Sequence, residues 1–163
     1  SLTRLGSDNF LMVGCHLGHD VEIGSHNIIA NAALLAGHVH VGNRTFIGGG
    51  AVFHQFLRIG DSCVIQGNGS FSKDIPHYCC AQRVNRITGL NIIGLRRQGF
   101  TSAERAELKV LFDLLFRSGL NLSQAVESAR AADWSAQAAH LLEFVSTPGR
   151  KGVCTLRPGR DEE

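Results

Sequence analysis

The sequence predicts a mainly β protein: a left-handed parallel β-helix built from hexapeptide repeats, followed by a small three-helix C-terminal domain. Three observations carry this expectation. An apolar residue recurs at every sixth position through the first half, small residues follow many of those anchors, and beyond residue 100 the apolar period becomes that of a helix. The anchors are Leu11, Leu17, Ile23, Ile29, Leu35, Val41, Ile47, Phe53, Ile59, Ile65 and Phe71, with no position skipped. Four residues after an anchor come Cys15, Val21, Ala33, Val39, Thr45, Ala51 and Cys63, which completes the hexapeptide pattern. Neither a helix, with its 3.6-residue period, nor an alternating strand produces an unbroken period of six.

Three short strands make one triangular coil, so a coil takes about 18 residues and stacks on the next at the ~4.8 Å strand spacing. Gly18, Gly24, Gly42, Gly48 and Gly60, directly after anchors, are expected at tight corners whose φ values a Cβ would penalise. The repeat stops at Asp74-Ile75-Pro76. The expected organisation is a β-helix over 1–80, an Arg-bearing connector over 81–100, a helical domain over 101–149 and a loose polar tail over 150–163. Thr101-Ser102-Ala103-Glu104 reads as a capping box, and Leu108, Leu111, Phe112, Leu115 and Phe116 form the apolar stripe of the helix it opens, which ends at Gly119. A second helix is expected over 122–132 and a third over 135–145, before Pro148-Gly149.

Composition narrows the function classes. With 163 residues, 44% apolar content and a net charge of +2, the chain is neither disordered nor basic enough to bind nucleic acid by neutralising phosphates. No apolar run approaches the roughly 18 residues of a membrane span, and the N-terminus lacks the layout of a signal peptide, so a cytoplasmic protein without membrane insertion is expected. The five cysteines contain no C-x-x-C pair, which fits free thiols in a reducing compartment. Cys79 and Cys80 point opposite ways in extended chain and read as packing residues.

Numbering modulo 18 reports the prism edge a residue occupies. His16, His19, His38 and His54 become 16, 1, 2 and 0, one edge, whereas His26 and His40 become 8 and 4. A neutral imidazole accepts a proton near physiological pH, so several on one edge suggest a catalytic cleft. Asp20 maps to the same edge and could fix the tautomer of His19, and Gly37 offers a backbone N–H for an oxyanion. Two other readings stay open at this point: corner histidines that bond carbonyls, and imidazoles that hold zinc.

Ser7-Asp8-Asn9-Phe10-Leu11-Met12, His16-Leu17-Gly18-His19-Asp20, Leu35-Ala36-Gly37-His38-Val39, His54-Gln55-Phe56, Asp74-Ile75-Pro76, Asn91-Ile92-Ile93-Gly94-Leu95-Arg96-Arg97 and Phe116-Arg117-Ser118-Gly119 follow in order along residues 7 to 150. This set resembles the acyl-carrier-protein-dependent UDP-N-acetylglucosamine O-acyltransferases that begin lipid A synthesis. The resemblance implies transfer of a (3-hydroxy)acyl chain to the sugar 3-hydroxyl, with His19 as general base, Asp20 orienting it and the Gly37 N–H stabilising the oxyanion. It further implies that His16, His38, His54 and Gln55 line the cleft, that Gly67 leaves room for a long acyl chain, and that Asn91 and Arg97 hold the nucleotide. No metal and no cofactor is implied beyond the phosphopantetheine of acyl carrier protein, which delivers the acyl chain. The implied assembly is a homotrimer with clefts between prisms. Acyl carrier protein is acidic, and between Arg83 and Arg105 five Arg face the single Glu104, a candidate docking surface.

Two departures from the family pattern stand out. Family members begin with about a hundred further residues of β-helix, so the chain could be a fragment, and Ile93 stands where the family carries a glutamate. A truncated, catalytically silent trimeric scaffold is therefore the alternative from another class. A related sugar N-acyltransferase and a zinc hydratase of the γ-carbonic-anhydrase kind are the remaining enzymatic alternatives.

Overall fold

The computed structural model describes residues 1–157. Among them, twelve two-residue strands follow one another: β1 (Arg4–Leu5), β2 (Phe10–Leu11), β3 (His16–Leu17), β4 (Glu22–Ile23), β5 (Ile28–Ile29), β6 (Leu34–Leu35), β7 (His40–Val41), β8 (Phe46–Ile47), β9 (Val52–Phe53), β10 (Arg58–Ile59), β11 (Val64–Ile65) and β12 (Ser70–Phe71). Each anchor is the second residue of its strand, and the period extends one repeat earlier, to Leu5. Strands pair in parallel one coil apart, as in Arg4↔Glu22, Phe10↔Ile28 and His16↔Leu34. Three sheets result: sheet A (β1, β4, β7, β10), sheet B (β2, β5, β8, β11) and sheet C (β3, β6, β9, β12). The solenoid and the helices behind it are thus the expected architecture.

Anchors from Ile23 to Phe71 are all buried. The corner position four residues after an anchor is buried too, which explains a break in its apolar series. Asn27 is fully buried there; its N–H donates to Asn9 Oδ1 (2.9 Å), its Oδ1 accepts from Thr45 N (2.8 Å), and its Nδ2 donates to Gly42 O (2.9 Å). Thr45 Oγ1 then accepts from Cys63 N at 3.0 Å. A column of Asn, Asn, Thr and Cys one coil apart satisfies corner amides that no strand can pair.

The glycines after the anchors correct the sequence expectation. Left-handed φ falls three residues after an anchor instead, at Asp20 (57°), His38 (59°) and Phe56 (66°), among others. The glycines permit close approach of the next coil. A Cβ on Gly18 would lie 2.7 Å from the Gly37 nitrogen, and one on Gly24 would lie 2.6 Å from Gly42 O.

Beyond residue 74 three further differences appear. Residues expected to form a connector hold β13 (Cys79–Gln82), β14 (Arg86–Leu90) and α1 (Ile92–Arg97). β13 continues sheet B in parallel with β11, pairing Cys80 with Val64 and Ala81 with Ile65, and β14 returns antiparallel to it. That coil spans 16 residues where the others span 18, and the lost period hid it. The chain therefore has four helices among the described residues, because α1 precedes the three expected: α2 (Ser102–Arg117), α3 (Leu122–Ala129) and α4 (Ala136–Ser146). The Thr101–Glu104 capping box forms at the start of α2. Residues 150–157 are not loose: Val153 bridges to Asp74, Thr155 bridges to Arg86, and Cys154 is fully buried. The expected tail beyond residue 157 lies outside the described residues.

Helices and solenoid are fastened at Asp74. Arg58 donates to Asp74 Oδ2 through Nε (2.8 Å), Gly149 N donates to the same oxygen (2.8 Å), and Arg58 Nη2 also reaches Thr147 O (2.6 Å). Burial pushes the Cys63 thiol up to about 12 and the Cys79 thiol well above the ordinary value. At neutral pH Cys63 and Cys79 are unreactive packing groups.

Candidate active site

The corner between sheets C and A repeats at residues 18–21, 36–39 and 54–57, and it gathers four side chains. His19 Nδ1 lies 3.0 Å from Asp20 Oδ2, and His38 Nε2 lies 3.8 Å from the same oxygen. The His19 hydrogen bond and then the Leu2 N–H hold the Asp20 carboxyl well below the usual carboxylate range, so it is an acceptor at neutral pH. Nδ1 of His19 is accordingly the donor, and in the neutral imidazole Nε2 carries the lone pair. That atom faces Gly37, where a Cβ would sit 2.6 Å from it. No acceptor takes the Gly37 N–H among the described residues. A proton acceptor and an unpaired amide donor thus flank one small space on an exposed edge.

His38 joins the two coils of this edge. Its ring meets His19 edge-on, with centroids 5.0 Å apart, and lies flat on Phe56 at 4.5 Å with 9° between planes. His16 and His54 belong to the adjoining groove of about 440 Å³ on sheet C, lined also by Leu34, Val52 and Ser70. Gln55 lines a pocket of about 450 Å³ together with His54, Phe56, Arg150 and Lys151.

The other expected site residues sit at different corners of the same prism. Gly67 is at the corner between sheets B and C, where a Cβ would meet Gly49 O at 2.9 Å. Asn91 caps α1: its Oδ1 accepts from Gly94 N (3.1 Å) and its Nδ2 donates to Ser62 O (3.0 Å). This bond and the Ser62 Oγ–Gln98 contact (2.6 Å) seat α1, with Arg97 in its last turn, against the corner between sheets A and B. Within one chain the histidine edge and the α1 residues are therefore not brought together.

Sequence reasoning missed a second cluster. Asp61 Oδ2 lies 2.8 Å from His140 Nε2 and 3.6 Å from His77 Nδ1, and the two imidazoles stack with centroids 3.7 Å apart. His77 Nδ1 accepts from Asp61 N at 2.7 Å. The modular numbering could have flagged Asp61, which continues the column of Ser7, Ser25 and Asn43, but His140 arrives on α4 and no repeat announces it. Both this trio and His19, Asp20 and His38 have ligand atoms within 4.8 Å of one another, the spacing a cation would require.

Comparison with known proteins bears on this arrangement. The family model described as UDP N-acetylglucosamine O-acyltransferase, domain 2, matches residues 74–154. The acyl-(acyl-carrier-protein)--UDP-N-acetylglucosamine O-acyltransferase of Syntrophobacter fumaroxidans is 42% identical over 154 residues, covering 93% of this chain and 59% of the relative. The protein of the same name from Fusobacterium nucleatum is 52% identical over 151 residues, covering 91% and 58%. The chain belongs to the UDP-N-acetylglucosamine O-acyltransferase family. Its fold agrees with that of the UDP-N-acetylglucosamine acyltransferase from Campylobacter jejuni, with a TM-score of 0.87 at 35% identity over 93% of this chain and 60% of that one. The chain thus spans about three-fifths of the length of the family relatives it matches. Neither of its terminal helices nor any other is long and apolar enough to cross a membrane among the described residues.

Proposed function

We propose that the protein transfers a (3-hydroxy)acyl chain from acyl carrier protein to the 3-hydroxyl of UDP-N-acetylglucosamine, in lipid A biosynthesis in the cytoplasm. The observation that carries this reading is the lone pair of His19 Nε2 facing Gly37 while Asp20 holds Nδ1. An alcohol attacks a thioester poorly until its proton is taken. His19 Nε2 removes the proton of the sugar 3-hydroxyl as its oxygen bonds to the acyl carbon. The oxyanion that forms takes the Gly37 N–H. Its collapse breaks the C–S bond, and the His19 imidazolium returns the proton to the departing phosphopantetheine thiolate. Atoms and charges balance without a metal, a cofactor or an acyl-enzyme.

The remaining expected residues fit this reading through a trimer. Outward strand positions are apolar on sheet B (Phe10, Ile28, Phe46) and in the middle of sheet C (Leu34 and Val52, between His16 and Ser70) but polar on sheet A (Arg4, Glu22, His40). Apolar faces on either side of one corner suit a threefold axis beside that corner. Three triangular wedges fill only half a circle, so a cleft remains between sheet C of one protomer and sheet B of the next. Such a cleft sets the His19 edge of one protomer beside α1 of its neighbour, so that Arg97 can hold the nucleotide by charge-assisted bonds. The sheet C groove leads from the histidines toward the corner that bears Gly67, a path for the acyl chain, with Gln55 beside the pocket of Arg150 and Lys151. Asn91 acts in this scheme by seating α1.

The test is incubation of the intact protein with 3-hydroxyacyl-(acyl carrier protein) and UDP-N-acetylglucosamine or its 3-amino analogue, with the product read by mass spectrometry. An ester on the first acceptor is the expected result. An amide on the second alone would make it a sugar N-acyltransferase. Ile93, 60% exposed on α1 where a carboxylate is expected, favours the silent-scaffold reading, and calorimetric silence toward both substrates would establish it.

A further inference from the structure

Phe56 is an unusual residue to find where it stands. Its φ of 66° lies in the left-handed region, where an aromatic side chain is disfavoured, and His38 and Asp20 take the same conformation one and two coils away. Every corner of the solenoid imposes that conformation, but Asn, Asp or Gly adopts it with less strain. Nor is the ring there to fill the core, since Phe56 is 61% exposed. Its ring partner among the described residues is His38, against which it lies flat at 4.5 Å. Persistent strain at an exposed aromatic, beside groups arranged for chemistry, is the kind of outlier that points to a role.

Resting on the acyltransfer reading above, we propose that Phe56 is a positioning residue: it fixes the plane of the His38 imidazole and, through it, the orientation of His19. Three contacts transmit the effect. The flat stack leaves His38 no freedom to tilt about its outer bond without losing contact with Phe56. In that plane its Nε2 edge is directed to the Asp20 oxygen, at 3.8 Å, that also receives His19 Nδ1. Its ring also closes one side of His19 at a perpendicular angle of 89°. His19 is therefore confined by Asp20 at one nitrogen, Gly37 at the other and His38 across its edge. Phe56 touches none of the reacting atoms and acts by keeping the third of these walls in place. The motif His54-Gln55-Phe56 thus lines one pocket with all three residues, and its third also sets the geometry of a histidine one coil away.

The experiment compares Phe56→Gly, Phe56→Leu, Phe56→Tyr and Phe56→Trp in the intact protein, reading kcat, KM, melting temperature and the proton shifts of the His38 ring. In the unmodified protein the His38 ring protons should show the upfield shift of a stacked aromatic. Phe56→Gly should abolish that shift and lower kcat about tenfold, with KM within about twofold and a melting temperature equal or higher, because the corner loses its strain. Leu, apolar but not flat, should behave like Gly in kcat, whereas Tyr and Trp should restore most of it. Full kcat in Phe56→Leu, or a change confined to KM, would overturn the proposal. So would a Gly variant whose kcat falls only along with its melting temperature, since that marks structural support. If the unmodified protein has no acyltransferase activity, the reading beneath fails separately, and the His38 ring shifts then decide whether Phe56 holds the imidazole.

Discussion

At the histidine edge the backbone matters as much as the side chains. Alanine at Gly37 would retain the N–H but place a methyl group 2.6 Å from His19 Nε2, so the imidazole must turn out of place. Gly37→Ala is expected to lower kcat about a hundredfold with little change in melting temperature, a separation that steady-state kinetics and calorimetry will show. The interior residue Asn27 should behave in the opposite way. Asn27→Leu keeps the branched shape but leaves Thr45 N and Gly42 O without their partners. A loss of about 3 kcal/mol in urea denaturation is expected. Residues of the first kind were legible in the sequence because the period of 18 converts chain position into prism edge. That is why His19, Asp20, Gly37 and His38 could be grouped before any coordinates. Asn27 was not, since it interrupts an apolar series and only its hydrogen bonds explain it.

Between the elements, the last coil and α4 meet through the stacked pair of His77 and His140 over Asp61. Burial, aided by His140 and Arg58 and opposed by Asp61, brings His77 down to about 4 from its ordinary value of 6.5. A second proton on its Nδ1 would also break the bond from Asp61 N. The folded-state value is depressed, so the unfolded chain binds more protons between these two values. This stabilisation is complete above about pH 6.5 and is lost as the pH falls through 4. It amounts to about 2 to 3 kcal/mol, and His77→Gln should remove this part of the pH dependence when denaturation is compared at pH 7 and pH 4. The same junction shows where sequence reading stops. The helices were visible from the Thr101–Glu104 box and the stripe from Leu108 to Phe116, and they form where expected. β13 was hidden by a coil two residues short, and α1 by its brevity. The contact of His77 with His140 depends on how α4 docks, a relation between distant segments that no local pattern records.

For the whole molecule the decisive question is where the cleft is closed. If each site joins the His19 edge of one protomer to the α1 of the next, protomers disabled at different residues should complement each other. His19→Ala and Arg97→Ala proteins, each of low activity, should recover about a quarter of normal turnover when unfolded and reassembled together at equal amounts, from random mixing in a cyclic trimer. Sites contained within one chain would recover none. In the proposed trimer the period of six links a local pattern to an assembly: it sets the coil, the coil sets the apolar faces, and those faces would set which corners meet. In the proposed function all of this serves a proton transfer at one imidazole. The most direct measurement is the turnover of His19→Ala with acyl carrier protein and UDP-N-acetylglucosamine substrates, alongside its melting temperature and oligomeric state. The account predicts a fall in kcat of about a thousandfold or more with fold and assembly unchanged. Turnover within a few-fold of the unmodified protein would contradict it.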